Sequence, residues 1–340
     1  MGVNHTLLQL RRNSRGHQHD KPVLRCGGVI MIDANIRIVR ELMVVLLSLM
    51  MVVSVSAEQP NDRSIEINRD IVFAIHGETS LRLDAYIPSG SGPFPGVLVV
   101  HGGAWRTGSK SHVSHYGRRL AQSGYAAFMI DYRLAPASQF PAQIEDSRCA
   151  LRWISSNAEQ YRVNTDYVGA LGYSAGGHLV ALLGATQDIP GFADRDCNCE
   201  GSIPFLKAVV AGGAPCDFRQ LPLNSHYRSY FFGGTRAEKQ ELYVMASPAA
   251  HVSHADPPML FFHGERDWLV KISQPHNMIK SLKKAGVEAS LSVIKGAGHI
   301  SAAVRKEGMD ISVEFFDRHL RIPLNKATSV SLDNPVNVEF

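Results

Sequence analysis

The chain reads as an α/β fold, a mostly parallel central sheet with helices on both faces and a small insertion over one edge. Three observations predict it. Residues 96–100, 125–130, 208–211 and 259–262 are continuous apolar runs of strand length, as expected where both faces of a strand are covered, and 291–294 reads as a further buried strand. Helical patterns alternate with them, at 141–161 (Ile144, Ala150, Leu151 and Ile154 recur near helical spacing, with Pro141 at the start), 274–285 and 301–320. Between a further apolar run and a helix starting at Ala175 stands Gly172-Tyr173-Ser174-Ala175-Gly176. Small residues either side of a serine suit a sharp strand-to-helix turn that pushes the hydroxyl out over the sheet end. The free N–H groups of the helix start then face any developing negative charge.

In chain order, residues 1–30 are polar and irregular. Met31 is followed by Arg37, Arg40 and the apolar run 42–55, which ends in Val55-Ser56-Ala57. Basic flank, apolar run and small-residue ending predict a signal peptide in a 1–57 leader, cleaved before Glu58, with translation beginning at Met31. The run falls short of the roughly 20 residues of a spanning helix, so no stable membrane span is expected. The product is expected to be exported, to the periplasm or beyond. Residues 58–322 form the folded domain, 71–74 and 81–87 read as paired edge strands, and 323–340 is a loose tail. Residues 217–250 fit no strand-helix unit and carry Tyr227, Tyr230, Phe231, Phe232 and Tyr243, which predicts a cap-like insertion.

Hydrophobic residues make up 45% of the 340 and charged ones 19%, enough for a large core. Of 35 Lys/Arg and 31 Asp/Glu, the first 57 residues hold seven and three, so the remainder carries 28 of each sign. No basic stripe is left to recruit nucleic acid. Oligomeric state is not legible.

A serine hydroxyl needs a base, an orienting acid and an oxyanion hole, each just past the C-terminal end of a strand. His101-Gly102-Gly103-Ala104-Trp105 follows 96–100; His263-Gly264-Glu265-Arg266-Asp267 follows 259–262; Lys295-Gly296-Ala297-Gly298-His299 follows 291–294. Asp267 is the expected acid, with Glu265 a rival two positions earlier and Asp217 a remoter one. His299 is the expected base, because it alone among 15 histidines follows the last strand. His101 and His263 are read as loop braces and His178 as packing.

With these motifs, and with Asp131-Tyr132-Arg133-Leu134-Ala135-Pro136 and Phe140-Pro141-Ala142, residues 68–322 resemble α/β-hydrolase-fold serine esterases. The similar group includes bacterial carbohydrate acetyl- and feruloyl-esterases, kynurenine formamidases and hormone-sensitive-lipase-like enzymes. The resemblance implies a Ser174, His299 and Asp267 triad. It also implies an oxyanion hole from Gly103, Ala104 and Ala175, with Gly102 beside them. Tyr173 stands where lipase-like members usually carry Asp, and Ala104 where they carry Gly, which points to the acetyl/feruloyl-esterase and formamidase side. Val-Pro often follows the acid in the family; Trp268-Leu269-Val270-Lys271 stands here instead. Short-acyl or feruloyl esters of carbohydrate are the expected substrates. A lipase, or a formamidase using the same triad, is the alternative, and a non-catalytic binding module a remote one. No metal or organic cofactor is called for.

Trp105, Tyr132 and Tyr173 are candidates either to line the substrate or to pack. Asp131 and Arg133 read as a bracing ion pair, with Asp146 similar. Among the cysteines, Cys149 is expected as a buried free thiol and Cys216 as the partner of Cys197 or Cys199; zinc would lack a fourth ligand.

Overall fold

The computed structural model describes residues 64–192 and 201–321. They fall in the compact unit Ala57–Phe340; the other unit, Met1–Ser56, with the predicted signal peptide, lies outside the described residues, as do Cys197, Cys199 and the tail from 322.

Eight strands form one sheet in the order β1-β2-β4-β3-β5-β6-β7-β8. They are β1 (Ile65–His76), β2 (Thr79–Pro88), β3 (Phe94–Val100), β4 (Ala126–Ile130), β5 (Val163–Tyr173), β6 (Leu206–Gly212), β7 (Met259–Gly264) and β8 (Ala289–Ile294). β1 and β2 pair antiparallel, as do β2 and β4. Every other neighbour pair is parallel. The pairing of β1 with β2 matches expectation, but only β1 is the edge, because β2 also pairs with β4.

Each face of the sheet carries its own core. Helices α1 (Ser114–Gln122), α2 (Ala142–Ser156), α3 (Ala175–Ala185), α4 (Ser229–Phe232), α5 (Gln240–Met245), α6 (Ser273–Lys284), α7 (His299–Val304) and α8 (Lys306–Leu320) follow in chain order. Ile144 and Leu151 of α2, Leu179 and Leu182 of α3, and Met278 and Leu282 of α6 share one cluster. Tyr116 and Leu120 of α1, Ala302 of α7, and Phe315 and Phe316 of α8 share the other. α3 is buried on every side, as a composition apolar apart from His178 requires.

Three elements differ from the sequence reading. α1 was not foreseen, since only Tyr116, Gly117, Leu120 and Ala121 are buried, a narrow stripe amid arginines. The expected helix 301–320 is two helices, broken where Arg305 takes an extended conformation (φ −72°, ψ 138°). The helix expected over 141–161 stops at Ser156. Residues 217–250, between β6 and β7, hold only α4, α5 and single helical turns.

The cysteine expectations need correcting. Cys149 is disulfide-bonded, and Cys216 is the free cysteine of the described residues. Cys216 lies wholly buried with its thiol donating to the carbonyl of Ala214 at 3.4 Å, so it faces the core rather than a neighbouring loop. Gly201 is tied to α2 by Arg152, whose Nε donates to the Gly201 carbonyl at 3.1 Å. The chain entering β6 therefore runs along the helix that carries Cys149.

Candidate active site

Ser174 sits at the turn from β5 to α3 with φ 57° and ψ −118°, a region that costs a non-glycine residue about 1–3 kcal/mol. Two backbone bonds hold it there: Ser174 N–H donates to Gly212 O (2.8 Å) and His178 N–H to Ser174 O (2.9 Å). Glycine is required at 176, where a Cβ would collide with the carbonyl of Val100.

The turn, the β7–α6 loop and the start of α7 bring three side chains together. Ser174 Oγ lies 2.8 Å from His299 Nε2. His299 Nδ1 lies 2.6 Å from Asp267 Oδ2. Asp267 Oδ1 accepts the backbone N–H groups of Leu269 and Val270, both at 2.9 Å. Burial alone would raise the Asp267 carboxyl, but the bond from His299 and the backbone donors outweigh it and hold it below the usual carboxylate range. The carboxylate thus stays ionised and requires a proton on Nδ1, which leaves Nε2 free to accept from the serine hydroxyl. The arrangement can strip a proton from Ser174 and hold the imidazolium that results.

The rivals are occupied elsewhere. Glu265 accepts from Gly296 N–H at 2.8 Å, bracing the loop before His299. Asp217 forms a forked pair with Arg219 at 2.9 Å. His263 is fully buried, its Nε2 donating to Val270 O at 2.8 Å and standing 3.3 Å from Asp267 Oδ2, so it braces the acid loop rather than facing the serine.

The loop 101–105 lies against the serine: a Cβ on Gly102 would stand 3.3 Å from Ser174 Cβ. Arg106 and Thr107 N–H both donate to Gly103 O (3.1 and 3.0 Å). Gly103 (φ 120°), Ala104 (φ 53°) and Trp105 (φ 60°) all take positive φ. No acceptor among the described residues takes the N–H of Gly103, Ala104 or Ala175, so these donors are available to a ligand oxygen, with Gly102 next to them.

The candidate substrate contacts turn inward. Trp105 is 1%, Tyr132 3% and Tyr173 5% exposed. Trp105 stacks on Phe231 at 4.3 Å, and its Nε1–H donates to His178 Nδ1 (3.2 Å). His178 Nε2 in turn donates to Ala246 O (2.7 Å), which fixes a neutral ring; burial pushes its pKa down to about 4. Tyr132 stacks on His101 at 4.2 Å and donates to its carbonyl (3.1 Å), and burial likewise takes His101 down to about 4. Tyr173 donates to the carbonyl of His299 at 2.6 Å, so it positions the base rather than meeting solvent. Of the two readings offered by the sequence, packing describes all three rings.

Asp131 and Arg133 do not pair with each other. Arg133 forks onto Asp146 (Nε to Oδ1, 2.9 Å) and reaches Glu145 (3.0 Å), while Asp131 accepts Lys110 N–H at 2.8 Å. Among the described residues no cluster of three or more His, Cys, Asp or Glu is placed to hold a metal ion, and no helix is long and apolar enough to cross a membrane.

A clamp from the insertion onto the loop beside Ser174 is not legible in the sequence. Tyr230 Oη donates to Ala104 O at 3.1 Å, Arg228 Nη1 to Tyr230 Oη at 3.3 Å, and the Arg106 guanidinium lies 5.1 Å over the Tyr230 ring.

Comparison with known proteins agrees with this architecture. The probable carboxylic ester hydrolase LipM of Mycobacterium tuberculosis is 29% identical over 241 residues, 66% of this chain and 54% of that protein. Esterase LipC of the same organism is 31% identical over 216 residues, 61% and 53%. The chain thus spans about half the length of the curated relatives it matches. Among solved structures, a truncated carbohydrate esterase from gut microbiota superposes with a TM-score of 0.66 at 24% identity, covering 77% of this chain and 99% of that one, a likeness of fold. The BD-FAE family model matches residues 83–282, more than half of the chain, and the protein belongs to that family.

Proposed function

We propose that the protein is a serine esterase, carried by one observation: the continuous chain of short contacts from Ser174 Oγ through His299 to the buried Asp267. Ser174 Oγ attacks the ester carbonyl while His299 Nε2 takes its proton. The carbonyl oxygen, now negative, is held by the N–H groups of Ala175, Gly103 and Ala104; each such donor is worth about 10²–10³ in rate. His299 returns the proton to the departing alkoxide, leaving an acyl-Ser174 ester, and a water activated by His299 then releases the acid. The names of LipM and LipC support an ester rather than an amide.

Short acyl groups on carbohydrate are the proposed substrates. Trp105 and Phe231, fully buried and stacked, close the space behind Ala104, and a long chain could enter only by breaking that stack. Hydrolysis of aryl esters of increasing acyl length, beside acetylated and feruloylated sugars, tests this. Acetyl esters are expected to lead; a kcat/KM that climbs past octanoyl contradicts it.

Export belongs to the same proposal. It rests on the leader motif and is supported by the disulfide at Cys149, since disulfides persist in oxidising compartments. Protein recovered from its native host should begin at Glu58; a membrane-bound product beginning at Met1 or Met31 would contradict it.

A further inference from the structure

Two cations meet at Tyr230, the side chain that holds the loop beside Ser174, without carboxylate partners among the described residues. Arg106 follows the oxyanion loop directly and is exposed; its guanidinium lies over the face of Tyr230. Arg228, from the insertion, reaches the Tyr230 hydroxyl at 3.3 Å and covers Trp105 at 5.4 Å and Tyr227 at 4.0 Å. Both therefore converge on the one side chain that holds the Ala104 carbonyl. Neither pairs with an acid among the described residues, while Asp217 is held by Arg219 and Glu238 by Thr235. Beside them the Tyr227 ring is 58% exposed.

Resting on the esterase reading above, we propose that Arg106 and Arg228 form an anion subsite that selects esters whose alcohol part carries a carboxylate, the chemistry of an acetylated uronic acid. With the acyl side closed by the stack of Trp105 on Phe231, the exposed Arg106 and Tyr227 are left to the alcohol part. A guanidinium fork matches a carboxylate in two parallel hydrogen bonds, and the exposed aromatic face of Tyr227 suits the apolar face of a sugar ring. The chain as a whole carries no excess charge outside its leader, so this local pair is invisible to composition.

The test compares methyl O-acetyl-galacturonoside as the free acid with its uronamide, which has the same shape and no charge. The unmodified enzyme should prefer the acid by roughly tenfold or more in kcat/KM, the scale of a charge-assisted hydrogen bond. That ratio should fall towards one in Arg106→Gln and in Arg228→Gln. It should also fall on raising salt from about 0.1 M to about 1 M, which cuts the screening length from about 10 Å to about 3 Å. Equal rates in the unmodified enzyme, or a preference that survives both substitutions and high salt, overturns the subsite. Failure to hydrolyse either sugar or any aryl ester overturns the esterase reading itself, and the subsite with it.

Discussion

Asp267→Asn is predicted to abolish most turnover, and the structure says through which atom. Oδ1 of Asp267 accepts two backbone N–H groups, from Leu269 and Val270. An amide placed there must keep its oxygen towards those donors, because the reverse would set N–H against N–H. Its NH₂ is then forced to the Oδ2 position, 2.6 Å from His299 Nδ1. To avoid a second clash, His299 must accept at Nδ1 and carry its proton on Nε2, where it can no longer accept from Ser174. The loss expected of a wrong tautomer is about 10⁴ in kcat, or about 5.5 kcal/mol of transition-state stabilisation, with little change in KM. Glu265→Gln, at an exposed carboxylate bonded only to Gly296 N–H, should stay within about twofold, as exposed sites usually do. Initial rates on an aryl acetate, with melting curves to confirm folding, are the assay. The reasoning is refuted if Asp267→Asn keeps a tenth of the activity or if Glu265→Gln is the more damaging.

Stability should fall between pH 8 and pH 5. His101 and His178 stay neutral in the fold down to about 4, whereas the unfolded chain takes up their protons from about 6.5, which favours unfolding by about 2 kcal/mol apiece at pH 5. Asp256, raised to about 6 by burial, acts oppositely and regains about 1 kcal/mol as it protonates, so thermal melts should still show a net fall; a flat or rising Tm contradicts this. Trp105→Ala removes a fully buried stacked ring and leaves His178 Nδ1 unpartnered, so it should cost about 3–5 kcal/mol in denaturant titrations and, by opening the stack on Phe231, let longer acyl esters be hydrolysed. Cys149→Ser should lower stability by about 2–4 kcal/mol, and reductant should lower the Tm of the unmodified protein but not that of the variant.

Much of this was legible because chemistry and position coincide in the sequence. The serine and the acid each follow a buried apolar run, which has few alternatives to a strand covered on both faces. The base follows β8, the last strand, where only Ala289 and Ile294 are buried. Local pattern could not supply what depends on distant neighbours. Tyr173 looks like a pocket residue beside Ser174, yet its hydroxyl is spent on the carbonyl of His299, 126 positions away. Arg133 stands two residues from Asp131 but forks onto Asp146 across a turn. Proximity and export together suggest Cys216 as a disulfide partner, whereas its buried thiol donates to the carbonyl of Ala214 in the loop after β6. Arg106 and Arg228 are not legible as a pair, because nothing near either of them in the chain shows that they meet at Tyr230.

The central claim is that Ser174 carries the acyl group. Incubating the protein with an aryl acetate, quenching in acid within the first turnovers and weighing its peptides tests it most directly. An acetyl increment confined to the peptide containing Ser174, absent from Ser174→Ala together with all hydrolysis, is the predicted result. An increment on another residue, or a Ser174→Ala variant that still turns over the ester, would contradict the account.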